Sequence, residues 1–351
     1  DLPYPLRRQR QMCIRDSGDP TAESSFPLSQ LFTSPSEQGN TTAEPDLLYH
    51  YTDAAALMGI VSPGGWPVDY PNSDAVYGSA AKLWASDSRY MNDESELLFG
   101  AKVFCRELRD SVGKPDVDAN LGEAFLTVAD AFENESVYDW GVRCFAVSLS
   151  ADRDLLSQWR GYGGGTGGFA IGFSWDALMG HTYAFHPRST AMGTTPFRTE
   201  LCKIAYGEDE AHDRARTFVS TTVARWHSTG PSALIRQGDR PHLQSLATQV
   251  FREIATIKHA AFVEEQEWRL WAISEAQYPS NIRAGRSGLL PYLEVGVNLG
   301  LGDTSHHPTI GELVVGPQPD KAGQVAVARQ LLAMRGHDPN VVVPSGVPFR
   351  G

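Results

Sequence analysis

Glu265 and Glu267 stand one residue apart in the run FVEEQEWRLW (262–271), where an aromatic and aliphatic segment carries four charges. Read with the two-residue period of a strand, Glu265, Glu267, Arg269 and Trp271 point one way, and Trp268, Leu270 and Ala272 the other. At a rise of ~3.4 Å per residue the two carboxylates stand about 7 Å apart, near enough to raise each other's pKa where water is excluded. The same alternation also describes an ordinary antiparallel strand with one solvated face.

Further residues could join such a site. His50 lies in Tyr-His-Tyr-Thr (49–52), and Tyr162 lies beside a glycine run. Arg160 and Arg269 have the fork of donors that binds a pyrophosphate, although Arg269 could equally pair with Glu267 or Glu265. Asp93, Glu96, Glu265 and Glu267 could together hold Mg or Mn, but without a histidine cluster this leaves the aromatic neighbours unexplained. Each has a plainer reading. His50 suits a satisfied core histidine, Tyr162 a ring capping the core, and Asn92 and Asp93 a helix cap. His306 and His307 read as surface residues of a Gly/Pro-flanked loop.

The glycine run GYGGGTGGF (161–169) satisfies G-x-G-x-x-G through Gly163, Gly165 and Gly168. In a dinucleotide fold that motif leaves a strand and enters a helix. Here a helical segment leads in and the strand-like FAIGF leads out, so a connector is expected. Walker A, G-x-S-x-G and H-E-x-x-H patterns are absent.

The elements that must position these residues alternate along the chain. Strands are expected at LLYHY (47–51), KLWAS (82–86), GVRCFAVSLS (141–150), FAIGF, ELCKIAY, EEQEWRLWAI, LLPYLEVGV and ELVVG. The apolar run 141–150 suits a central strand. Helices are expected after Thr52 or Asp53, after Asp93, over 119–134, near 208–228 and 242–261, and over 319–335. Strand runs with inserted helices make the fold class α+β, with a mixed, mostly antiparallel sheet and a helical insertion around 208–261.

The 351 residues are 41% hydrophobic and 21% charged, enough to bury a full core. A net charge of -12 argues against strong general nucleic-acid binding and favours a small-molecule or protein substrate. Cys13, Cys105, Cys144 and Cys202 form no C-x-x-C, so reduced thiols and a cytoplasmic location are expected. No apolar run is long enough to span a bilayer, and none follows a basic start as a signal peptide would. Residues 1–17 carry four Arg and two Asp, a basic bias foreign to the rest, and read as an artefactual leader or a basic tail. Residues 18–46 read as a disordered leader, and 47–351 as a single domain.

Several segments in order resemble a bacterial family of unknown function, DUF2971. They are Tyr-His-Tyr-Thr at 49–52, LWAS with MNDESE (83–96), CFAVSLS (144–150), QWRGY with GFAIGF, EEQEWRL, and VVVPSGVPFR at the tail. More distantly, an early strand with His50, a middle Tyr and a late Glu-x-Glu resemble the His, Tyr, Glu triad of ADP-ribosyltransferases. That resemblance implies a split sheet and NAD as the substrate. Glu267 would stabilise the ribosyl oxocarbenium ion and Glu265 would orient the acceptor. Tyr162, or alternatively Tyr90, would stack on nicotinamide. His50 would orient the adenosine ribose, with Tyr51, Thr52, Arg160 and Arg269 completing the nucleotide contacts. The acceptor would be a protein or a nucleic acid. The alternative is a module that binds a nucleotide or a partner protein and turns nothing over. The transferase reading requires His50 and Glu267 to approach one pocket, and it fails if their side chains point to opposite faces of the sheet or lie more than roughly 15 Å apart.

Overall fold

A computed structural model describes residues 44–67, 76–90, 94–163, 167–180, 182–187, 196–229, 240–275, 280–285, 288–298, 300–301 and 309–348. The expectations for residues 1–43, for Asn92, Asp93 and Gly165, and for His306 and His307 lie outside these. Side chains are not described at Glu96.

The strands are β1 (Leu47–Thr52), β2 (Gly64–Pro67), β3 (Val76–Ser79), β4 (Ala81–Asp87), β5 (Val142–Ser150), β6 (Phe169–Ser174), β7 (Tyr183–Phe185), β8 (Pro196–Arg198) and β9 (Glu200–Lys203). They continue as β10 (Ala205–Tyr206), β11 (Ile257–Lys258), β12 (Glu267–Glu275), β13 (Asn281–Gly285), β14 (Gly288–Val297), β15 (Gly300–Leu301), β16 (Ile310–Val315) and β17 (Val342–Pro344). The helices are α1 (Ala54–Ile60), α2 (Glu94–Ser111), α3 (Ala119–Glu133), α4 (Leu156–Tyr162), α5 (Trp175–Met179), α6 (Glu208–Thr229), α7 (Arg240–Ile254) and α8 (Lys321–Met334). The architecture is α+β.

The main sheet runs β17-β16-β6-β1-β5-β4-β14-β7-β8, with β12 and β9 following on the free side of β5, and β13 paired to β14. Its pairings are antiparallel apart from the parallel β16–β17. As its apolar run foretold, β5 is central. One edge carries β12 along the full strand, from Glu267 beside Ser150 to Glu275 beside Val142. Two strands share the other edge. There β4 pairs at Phe145 and Ala146, while β1 pairs only at Ser150. Residues 147–149 pair with neither, so the sheet forks there.

Alternation along these strands separates two sides. Leu48, Phe145, Val147, Leu149, Leu270, Ala272, Leu293 and Val295 belong to the largest apolar core, which α1, α5 and α8 also face. On the opposite side of β5 and β12, Cys144, Ala146 and Trp271 meet Phe251 of α7. Behind them α2, α3, α6 and α7 pack around Phe104, Leu108, Phe125, Trp226 and Val250. Burying each such side chain contributes roughly 1.5–3 kcal/mol. The helices of the expected insertion thus join α2 and α3 in one cluster. Asp53 and Asp118 cap α1 and α3 through side-chain bonds to Ala56 and Asn120 N–H.

Three expected boundaries change. The run 262–271 is not one strand, because Ala260–Glu265 forms a 3-10 helix capped by His259, and β12 starts only at Glu267. Gln266 makes the turn in the left-handed region, at φ 42°. α7 stops at Ile254 rather than 261, since Ile257 and Lys258 pair parallel with Ala205 and Tyr206. That pairing also divides ELCKIAY into β9 and β10.

Candidate functional site

A cleft opens at the fork. Ser148, Leu149 and Ser150 form its floor, Tyr49, His50 and Tyr51 one wall, Gln158 and Tyr162 a second, and Glu265 and Glu267 a third. Four chain segments converge there for identifiable reasons.

The Glu wall is built by Lys258. Its Nζ donates to Glu265 Oε2 at 2.6 Å and to Glu267 Oε2 at 3.0 Å, and it sits 4.7 Å from the Phe262 ring centre. Arg269 forks onto Glu267 through Nε at 2.7 Å and Nη2 at 3.2 Å, while its Nη1 donates to Ala255 O at 2.9 Å. The Ser148 hydroxyl bonds the same carboxylate. Burial alone would raise the Glu267 pKa, but the charges of Arg269 and Lys258 and these bonds outweigh it and hold the carboxyl at about 2. The expected mutual raising is therefore reversed for Glu267, because two cations stand in the cluster. Four donors also fill the roughly four acceptor sites of a carboxylate. Of the two readings for Arg269, pairing with Glu267 describes it; at 3% exposure it is out of reach of a pyrophosphate.

Glu265 differs. It leaves a 3-10 helix rather than a strand, and its side chain retains 21% exposure. The turn that carries it is tied to the end of β5, where Ser150 Oγ donates to Glu265 O at 2.8 Å and Ala151 N to Gln266 O at 3.0 Å. Glu267 N donates to the Tyr206 hydroxyl at 2.7 Å.

His50 lines the cleft, but the register qualifies its part. Tyr49 and Glu267 both pair with Ser150, so Tyr49 shares the Glu267 side of the sheet and His50 alternates to the side of Leu48. Its Nδ1 lies 3.0 Å from the Ser148 carbonyl, on the edge left unpaired by the fork. A carbonyl only accepts, so Nδ1 carries the proton. Burial pushes the imidazole pKa down, against the Ser148 bond, and the neutral ring keeps Nε2 as an acceptor. Tyr51 faces the cleft with its hydroxyl bonded, donating to Asp152 O at 2.8 Å and accepting from Leu155 N at 2.9 Å. Thr52 is buried at the end of β1 and is not part of the cleft wall.

α4 brings in Gln158 and Tyr162. Trp159 seats the helix, stacking edge-on against Tyr51 at 4.7 Å and donating from Nε1 to Asp154 at 2.8 Å. Tyr162, at 40% exposure, overhangs the opening. Arg160 is exposed outside the cleft wall, and Tyr90, 51% exposed beyond β4, is also outside it. Of the two candidate middle tyrosines, Tyr162 is the one at the cleft. The described ends of the glycine run stand between α4 and β6. Gly168 has φ +76°, and a Cβ there would stand 2.8 Å from Thr52 O, so the loop closes tightly onto the end of β1. Among the described residues no group of three His, Cys, Asp or Glu is placed to hold a metal ion.

Residues 158–270 match the model of a family described as protein of unknown function (DUF2971). The resemblance to that family read from the motifs is shown over this span. The DUF2971 match takes in Gln158, Tyr162, Lys258, Glu265, Glu267 and Arg269, hence two of the three cleft walls; β1 with His50 lies outside it. No curated protein and no solved structure matches the chain. Among the described residues no helix is long and apolar enough to cross a membrane.

Lys258, Tyr206, Ser148 and Gln158 are absent from the residues singled out in the sequence. For Lys258 a signal existed, a lone lysine in the apolar stretch ATIKHAAF, seven residues before Glu265.

Proposed function

We propose that the cleft binds a ribonucleotide and that the protein consumes NAD, as an ADP-ribosyltransferase or NAD glycohydrolase. The observation that carries this reading is the convergence of Tyr162, Glu265 and Glu267, from separate parts of the chain, on one cleft at the fork of the sheet. His50 reaches that cleft from the side of the sheet opposite Glu267, which weighs against the expected pairing of the two. An overhanging phenol offers a face for nicotinamide, and a partly exposed carboxylate beside polar serine and glutamine side chains suits ribose hydroxyls.

The geometry divides the work of the two glutamates differently from the resemblance. Glu267 is held ionised and saturated with donors, so it positions Lys258 and Arg269. Glu265 presents the reachable carboxylate and takes the stabilising role. In the reaction the bond between ribose C1′ and nicotinamide nitrogen breaks, the electron pair leaves with neutral nicotinamide, and Glu265 faces the cationic ribosyl carbon. Water or an acceptor nucleophile on a protein or nucleic acid then forms the new C1′ bond and loses its proton to solvent.

A second reading, a binding module without turnover, is favoured by the same saturation, since two cations beside two carboxylates leave the cluster without net negative charge. Mass spectrometry of NAD incubated with the protein, with and without bacterial lysate, separates them. Free nicotinamide above the no-protein control is expected; NAD that binds and is recovered intact in both conditions leaves the binding module.

A further inference from the structure

Beyond the cleft wall, the hairpin of β13 and β14 carries a cation whose surroundings are not those of a structural ion pair. Arg283 Nη2 donates to Ser86 Oγ at 2.9 Å, and the guanidinium lies 5.6 Å from the Trp84 ring centre and 5.9 Å from that of Tyr292. No carboxylate among the described residues pairs with it. Glu294, which lies on the Tyr292 side of β14, is held by Lys82. Arg283 Nε is buried with no acceptor, and so is the neighbouring Trp84 Nε1. The immediate surroundings thus offer N–H donors around a half-buried positive charge, with no anion supplied by the described residues. Leaving such donors unsatisfied is costly, and an incoming anion would relieve it.

This group stands next to the cleft. Ser86 pairs with Ala146, two residues and so ~7 Å along β5 from Ser148, on the edge where the sheet forks. After burial, the charge of Arg283 is a further cause that lowers the His50 pKa. The Trp84 and Tyr292 rings, whose centres are themselves 5.6 Å apart, both stand within 6 Å of the guanidinium and restrict it, so less side-chain entropy remains to be lost on binding.

We infer that Arg283 is the anion-recognition residue beside this cleft and receives the phosphate groups of its ligand, with Ser86 and Trp84 holding the guanidinium in place. The inference rests on the ribonucleotide reading for the identity of the ligand, while the anion site itself follows from Arg283. It takes the place of the sequence candidates Arg160 and Arg269, of which Arg160 is exposed on α4 and Arg269 is locked to Glu267.

Calorimetric titration of the full chain with inorganic pyrophosphate, ADP-ribose and adenosine tests it. Pyrophosphate and ADP-ribose are expected to bind Arg283→Gln about 10- to 150-fold more weakly than wild type, the size of one lost charged hydrogen-bond contact, with adenosine unchanged. Arg283→Lys keeps the charge beside the rings, guards against an unfolded variant, and is expected to fall between the two. Pyrophosphate that fails to bind the wild type, or binds wild type and Arg283→Gln equally, overturns the inference. Pyrophosphate binding that depends on Arg283, with ADP-ribose binding no more tightly than pyrophosphate, upholds the anion site and overturns the ribonucleotide reading instead.

Discussion

Lys258 Nζ and Glu267 Oε2 lie 3.0 Å apart, each side chain only 5% exposed. A buried ion pair of this kind contributes less than its Coulomb energy suggests, yet removing one partner leaves the other charge stranded. Lys258 also holds Glu265, so Lys258→Met would set two carboxylates against each other with Arg269 as the remaining counter-charge. Urea denaturation at neutral pH is expected to show a loss of about 3–5 kcal/mol. Adding Glu267→Gln to Lys258→Met should cost less than the sum of the two single changes. Strict additivity would mean the pair is not coupled.

Acid should expose the same cluster. The folded Glu267 pKa of about 2 lies below its ordinary value of 4.5, so the native state favours the ionised form. Its contribution is complete above the unfolded pKa and disappears as pH falls through the folded one, a window from about pH 5 to 2. The linkage amounts to roughly 3 kcal/mol. Measured as the difference in unfolding free energy between wild type and Glu267→Gln, the gap should narrow steadily across that window. A gap independent of pH would show that Glu267 is not held ionised by its cations.

Much of this arrangement was legible in the sequence, and what was missed has a physical cause. The two-residue period assigned Trp268, Leu270 and Ala272 to the core and Glu267, Arg269 and Trp271 to the other side, because burial of that face fixes the register. Periodicity could not show that Glu265 belongs to a 3-10 turn, since a single left-handed residue at Gln266 resets the chain without a glycine to announce it. Nor could it show the fork. Which strand pairs with Val147–Leu149 is decided by long-range contacts, and with it whether His50 or Tyr49 shares the side of Glu267. The partners of Lys258 were hidden for the same reason, because they are set by the parallel pairing with β10.

Gln266 offers a direct probe of that turn. Its φ of 42° is costly for a side chain branched at Cβ and natural for asparagine. Gln266→Val is expected to lower stability by about 1–3 kcal/mol. Gln266→Asn should match or slightly exceed wild type in the same thermal melts. If valine is tolerated as well as asparagine, the residue between the two glutamates does not adopt the left-handed conformation.

Two of the cleft walls should separate in kinetic terms. Glu265→Gln removes the reachable carboxylate while keeping a hydrogen-bonding side chain of the same size. Nicotinamide release should therefore fall by roughly 30- to 1000-fold, equivalent to about 2–4 kcal/mol, with melting near that of wild type. Tyr162→Ala takes away a 40% exposed ring and should raise KM by about 5- to 150-fold if nicotinamide stacks there, whereas Tyr162→Phe should be close to neutral. Glu267→Gln is expected to lose activity together with stability, because it loosens Lys258 and Arg269 at once. The order matters more than any single value. Full activity in Glu265→Gln alongside inactivity in a Glu267→Gln protein that melts normally would return the stabilising role to Glu267, and equal turnover in all the variants would remove NAD chemistry from this cleft.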